Sequence, residues 1–294
     1  MHNKALENTV YVLAAGAFGV FVRWLQLQLA FDEKGLCGAS IFNVIVPAFI
    51  LIVAWALRRR IAQTLRVAVL PQDYAAALEN QGKFYAFLRW LVGAVMALGG
   101  VLIIRGSEVE KHVVMLRLLG GLAIVSGICF PLYLGAANRE LKSRQKRLSC
   151  LLGLAPILLF SLWLVYDYMD NAINSVVWAF LIEVLAVCTL MLAFFRLAGF
   201  AFGQVQPKKT LFWLQFGIFM SLTVLADSRS MGKQIVFFAA GMMLALADFI
   251  LLKKLREKTL AETLAEETKP AANDGGIEKP VSYTHLTLPT KRIV

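Results

Sequence analysis

Charge is what this sequence has least of. Only 17% of its 294 residues are Asp, Glu, Lys or Arg while 59% are hydrophobic, too little polar surface to solvate a soluble globule of this length. Histidine is rarer still, with three in all, and the four cysteines (Cys37, Cys129, Cys150, Cys188) share no metal-ligand spacing with each other or with His2 and His112. Neither a metal nor a cofactor is expected. Also missing are a G-x-x-x-x-G-K-[ST] phosphate loop, an H-E-x-x-H pair and a G-x-S-x-G elbow. Their absence removes the usual signatures of ATP-driven pumping, zinc proteolysis and serine hydrolysis. No nucleophile can be paired with a base, so an enzyme is the less favoured class.

What the chain does have is eight long apolar runs, at 9–31, 39–57, 84–104, 113–136, 148–166, 174–197, 209–226 and 233–252. A hydrocarbon layer ~30 Å thick takes ~20 helical residues to cross, the length of these runs. Barrel strands would alternate apolar and polar residues, which these runs do not. The sequence therefore predicts an all-α membrane protein, a bundle of eight transmembrane helices. The first run is about 24 residues long and lacks a strongly basic flank, so it reads as a retained span rather than a secretory signal.

Lysine and arginine are distributed unevenly between the two sets of connections. Segments 1–8, 58–84, 137–147, 196–210 and 253–258 carry 18 of them, and the alternate connections carry 5. Basic connections stay on the cytoplasmic side, which predicts both ends inside and a multi-pass protein of a bacterial plasma membrane. The net charge of +11 then reflects topology and an inner face that attracts anionic lipid. Nucleic acid is not an expected partner, because basic clusters such as RRRIAQTLR (58–66) abut a span and lack interleaved aromatics.

After the second run, Pro71 breaks the helix and Asp73 can cap a new one, which predicts a short interfacial helix before the third span. Residues 1–258 form the spanning domain, and the polar, Glu/Ala/Lys/Pro/Gly-rich stretch 259–280 reads as a disordered cytoplasmic tail. The segment 281–294, VSYTHLTLPTKRIV, resembles translated read-through of a sequencing adaptor, with SYTHLTLPT carrying the match. Runs such as NAINSVVWAF and FFRLAGFAFG resemble uncharacterised multi-span membrane proteins of anaerobic Gram-positive bacteria, a resemblance that implies no activity. NVIVPAFI (43–50) matches NSVVWAFL (174–181), and VGAVMAL (92–98) matches FGIFMSL (216–222), a register expected of two parallel four-span halves.

Charges inside the spans are the residues that need a reason. Each costs ~2.5–3.5 kcal/mol on insertion scales, so such groups turn inward, pair, or line a polar path. Glu183 lies about nine residues from the outer end of its span, ~13 Å, and Arg23 about eight residues from the outer end of the first, ~12 Å. Their common layer predicts a Glu183–Arg23 ion pair with Gln26 one turn away; the other readings of Glu183 are a buried neutral acid and a proton or cation carrier. Arg89 and Asp248 share an inner layer and form a second candidate pair, with snorkelling of Arg89 the plainer reading. Asp167, Asp170, Asn171 and Asn174 concentrate acid and amide groups in an outer loop that could gather cations.

Small residues four apart, at Ala15/Gly19, Gly93/Ala97, Ala123/Gly127 and Gly241/Ala245, predict close helix contacts. Pro47, Pro131 and Pro156 predict kinks. Two function classes follow. One is a secondary transporter or permease for a small solute, with Glu183, Arg23 and Gln26 on its path; the other is a non-transporting scaffold or a membrane subunit of a larger complex.

Overall fold

In a computed structural model, residues 2–30, 41–79, 82–137, 143–171 and 177–257 are described. Asn174, Cys37, the tail 259–280 and the segment 281–294 lie outside the described residues. The described chain is almost all helix: α1 (His2–Leu29), α2 (Phe42–Val67), α3 (Tyr74–Leu78), α4 (Lys83–Gly106), α5 (Val113–Ala136), α6 (Ser143–Asn171), α7 (Val177–Ala198), α8 (Pro207–Thr223) and α9 (Met231–Lys253). Two short strands, β1 (Ala68–Val69) and β2 (Arg256–Glu257), pair antiparallel beside the ends of α2 and α9.

Seven helices, α1 and α4 to α9, are long and apolar enough to cross a membrane, which makes this a polytopic membrane protein. Large apolar side chains face outward around them, among them Phe84, Val114 and Leu151. That is the pattern of a surface solvated by lipid rather than water. The exception is α2. Its uninterrupted apolar stretch, 44–57, is 14 residues or ~21 Å long between Asn43 and Arg58, short of the ~30 Å layer.

The most buried helices are at the centre. Of the apolar windows, 78% is buried in α9 and 67% in α8, against 33% in α1 and in α4. Helix α9 packs on α4, α8 and α1; α8 packs on α7, α1 and α2; α5 and α6 close the circuit between α4 and α7. The expected four-span repeat equates α4 with α8, yet one is peripheral and the other central, so the two halves do not share a packing pattern.

The small-residue rows act where they face each other. A Cβ on Gly93 would lie 2.3 Å from the Gly127 carbonyl oxygen, and one on Gly127 2.4 Å from that of Gly93. Gly100 and Gly120 repeat the contact two turns away, at 2.5 and 2.6 Å. This seam lets the α4 and α5 backbones touch, which a side chain at any of the four positions would prevent.

The predicted interfacial helix is α3. Asp73 caps it by accepting from the Ala76 amide at 3.3 Å, and the Tyr74 hydroxyl donates to the Tyr133 carbonyl oxygen of α5. Tyr133 in turn donates to the Leu197 carbonyl of α7 at 2.7 Å, so α3, α5 and α7 are tied together at one end of the bundle. This lower end of the bundle also holds β1 and β2.

Candidate functional site

At the opposite, upper end, α8 runs into a 3-10 turn, Val224–Ala226, and residues 227–230 connect it to α9. The connection folds inward. Its backbone is held by the Asp227 amide donating to Val224 and by Gln234 Nε2 donating to the Asp227 carbonyl at 3.1 Å. As a result Asp227 is 5% exposed although it belongs to a loop.

Around Asp227 a chain of charges is built from four elements. Arg23 of α1 donates through Nε to Asp227 Oδ1 at 2.7 Å and through Nη1 to Gln26 Oε1 at 2.6 Å. Arg229 donates through Nη2 to Asp227 Oδ2 at 2.6 Å and forms an ion pair through Nη1 with Glu183 Oε1 of α7. Trp163 of α6 donates to the same Glu183 oxygen at 3.1 Å. Arg23 is wholly buried and Glu183 is 8% exposed. Burial alone would lower the Arg229 pKa, but the carboxylates of Glu183 and Asp227 more than offset it, so the pKa is raised and the guanidinium stays charged.

The expected direct pair is therefore replaced by a relay. Glu183 takes Arg229, Arg23 takes Asp227, and Asp227 joins the two arginines, leaving Gln26 where it was expected beside Arg23. Arg23 and Glu183 are joined only through Asp227 and Arg229, because the inward fold of 227–230 inserts two closer partners between them.

A second cluster lies next to the first. Lys233 of α9 contacts both Glu110 oxygens at 3.2 Å and donates to the Tyr166 hydroxyl at 2.7 Å, and Tyr166 donates to Glu110 at 3.2 Å. Asp167, beside Tyr166, is 2% exposed and lies one helical turn after Trp163, on the face of α6 that meets Glu183. The predicted outer acidic loop is thus in part a helix end: Asp167, Asp170 and Asn171 occupy the last turns of α6, with Asp167 turned inward and Asp170 exposed. Asn171 Nδ2 donates to the Asp167 carbonyl at 3.0 Å.

The second candidate pair does not form. Asp248, fully buried on α9, accepts from Gln215 Nε2 of α8 at 3.3 and 3.4 Å. Arg89 instead lies against α5, where a Cβ on Gly135 would sit 3.0 Å from its Nη1. Asp248 faces the centre of the bundle and Arg89 its rim, which separates residues of equal depth.

Arg229, Trp163 and Lys233 were not singled out by the sequence. Arg229 and Lys233 read as ordinary loop cations, and the only sequence signal was that the connection between the last two spans holds two cations and an acid within seven residues. No family model, curated protein or solved structure matches the chain.

Toward the lower end a cavity of about 310 Å³ lies between α1, α2 and the end of α9, with Glu7, Asn8, Arg60, Gln63 and Thr64 among its walls. About 22 Å of α1 separates Asn8 from Arg23 at 1.5 Å per residue. Along that length α1 is sealed against α8: a Cβ on Gly16 would meet Leu222 at 2.5 Å and one on Gly19 would meet Thr223 at 2.3 Å.

Proposed function

We propose that the protein is a secondary transporter or permease for a small solute, closed at both the Arg23–Glu183 layer and the seam below it. The observation that carries this reading is the buried relay Arg23–Asp227–Arg229–Glu183, since ionisable groups held in a lipid-solvated bundle mark ion and solute paths. A polar cavity on the lower side, divided from the relay by a seam of glycines, supports it. Opening that seam between α1 and α8 would join the two.

In this reading α2 is an eighth span whose short apolar stretch is completed by Arg58, Arg59 and Arg60 reaching the headgroups. The lower end, where α1 begins and α9 finishes, faces the cytoplasm. A groove of about 540 Å³ between α2 and α8 there, edged by Arg58, Lys208 and Lys209 over Phe212 and Trp213, suits the headgroup and upper chain of an anionic phospholipid.

The low exposure of Arg23 and Glu183 favours a second reading, a scaffold or membrane subunit in which the relay only clamps helices. Thiol access decides between them. In a cysteine-free full chain, Thr223→Cys in the seam is exposed to a membrane-impermeant thiol reagent from each side, with Asn8→Cys in the cavity as a control. A transporter labels at position 223 from one side at least, at a rate that varies with solute. Labelling at 8 with none at 223 from either side establishes the clamp.

A further inference from the structure

The upper cluster holds one carboxyl more than it has cations to match. Arg23 and Arg229 supply two positive charges to the relay, against the carboxyls of Asp227, Glu183 and Asp167. Lys233 does not make up the difference, because Glu110 already pairs with it. A buried cluster that is short of one positive charge is unstable unless something neutralises it.

Asp167 is where the excess falls. Its Oδ2 is buried without a hydrogen-bond partner, and Trp163, one turn before it on the same face of α6, donates to Glu183. Two ionised carboxylates side by side in a buried site with too few cations repel each other, and a proton or a cation shared between them removes the repulsion. The other groups facing Asp167 are the Arg229 guanidinium from the 227–230 connection, the Lys233 ammonium from α9 and the Cys188 thiol from α7. Asp170 and Tyr166 are its neighbours on α6 itself, and Glu110 approaches Tyr166 from the connection between α4 and α5.

This surrounding decides against a metal ion. Two of the facing groups are cations, and Trp163 adds an N–H donor, so the oxygen ligands that a hard cation needs are not there. Among the described residues no group of three or more His, Cys, Asp or Glu side chains suits a metal.

We propose that Asp167 and Glu183 hold one exchangeable proton between them, making the buried upper cluster electrically neutral. The proton resides on Asp167. Glu183 already accepts from Arg229 and Trp163, whereas Asp167 Oδ2 receives nothing. Protonated Asp167 donates its O–H to the Glu183 carboxylate. Removing the proton leaves two adjacent carboxylates competing for Arg229, which loosens the contact between α6, α7 and the 227–230 connection.

The proton would serve as the coupling ion of the transporter proposed above and so deepens that reading, but it is tested without any flux, so the two proposals fail separately. The test is infrared difference spectroscopy of the full chain in phospholipid nanodiscs near neutral pH, wild type against Asp167→Asn, in water and in deuterium oxide. The expected result is a protonated-carboxyl C=O band equivalent to one group per chain, shifted by deuterium, present in wild type and lost in D167N. Asp248→Asn, outside the cluster, must leave that band in place. Coincident spectra for wild type and D167N in the carboxyl region overturn the proposal, as does a band abolished by Asp248→Asn alone. Where D167N does not accumulate, Glu183→Gln replaces it: with one carboxyl fewer, Arg23 and Arg229 are matched by ionised Asp227 and Asp167, so the band must be lost, and an unchanged band overturns the assignment.

Discussion

Arg23 Nε and Asp227 Oδ1 stand 2.7 Å apart, joining the middle of the first apolar run to the connection before the last, with the arginine side chain wholly buried and that of the aspartate 7% exposed. The contact spans 204 positions of sequence and closes the upper end of the bundle. Buried pairs of this kind are expensive to break from one side, because the remaining charge keeps its burial and loses its partner.

Arg23→Met and Asp227→Leu should therefore each lower stability by about 3–5 kcal/mol, and the double variant should lose less than the sum of the two. Thermal melts of the three proteins in one lipid mixture check this. Strict additivity would mean that the two side chains act independently.

Arg229 bridges Asp227 and Glu183 with two nitrogens of one planar group. Lysine retains the charge but not the fork, so Arg229→Lys should lose one charged hydrogen bond, about 1.5–3 kcal/mol. The loss should shrink when Glu183→Gln is already present, since the abandoned carboxylate is then neutral. Melting midpoints of the single and double variants read the difference.

The α4–α5 seam makes a sharper prediction. At Gly93 an added Cβ meets backbone at 2.3 Å and cannot be relieved by a rotamer, whereas at Gly121 it meets nothing within 4 Å. Gly93→Ala should destabilise the protein by about 1–3 kcal/mol or more, and Gly121→Ala should be neutral or slightly stabilising. Yield of folded protein and thermal midpoint together test the contrast.

Tyr74 gives a pH dependence at the lower end. Burial holds its phenol well above the usual value, with a hydrogen bond to Ser149 opposing and Cys150 adding to the rise. Since the folded pKa exceeds the unfolded value of ~10, the stability it contributes is complete below pH ~10 and declines as pH climbs from there toward the folded value. Tyr74→Phe should make the alkaline limb of the stability curve shallower, as seen by melts between neutral and strongly alkaline pH.

The basic groove predicts lipid preference. Replacing Arg58, Lys208 and Lys209 by glutamine should remove about 1 kcal/mol per residue of preference for anionic over zwitterionic phospholipid. Native mass spectrometry of bound lipid checks this, and unchanged retention would show that the groove is not a headgroup site.

Particular residues show how much of this was legible. Pro71 and Asp73 announced α3 because a missing amide and a side-chain cap act locally. Gly93 with Ala97 and Ala123 with Gly127 announced a close contact because small size is visible in sequence, although which helices would meet was not. Arg23 and Glu183 were singled out correctly as buried, and their partners were misassigned. Arg89 and Asp248 shared a depth and nothing else. The match between 92–98 and 216–222 was a likeness of apolar composition without a likeness of place.

The sequence by itself determined the solvent and the class of fold, because run length and the scarcity of charge are one-dimensional quantities measured against the thickness of a bilayer. It also set the layer expected of each interior charge, since a helix rises by a fixed amount per residue. Only the tertiary structure decided which charges meet. That depends on the direction each helix face points and on a four-residue connection folding inward, both set by packing between helices distant in the chain.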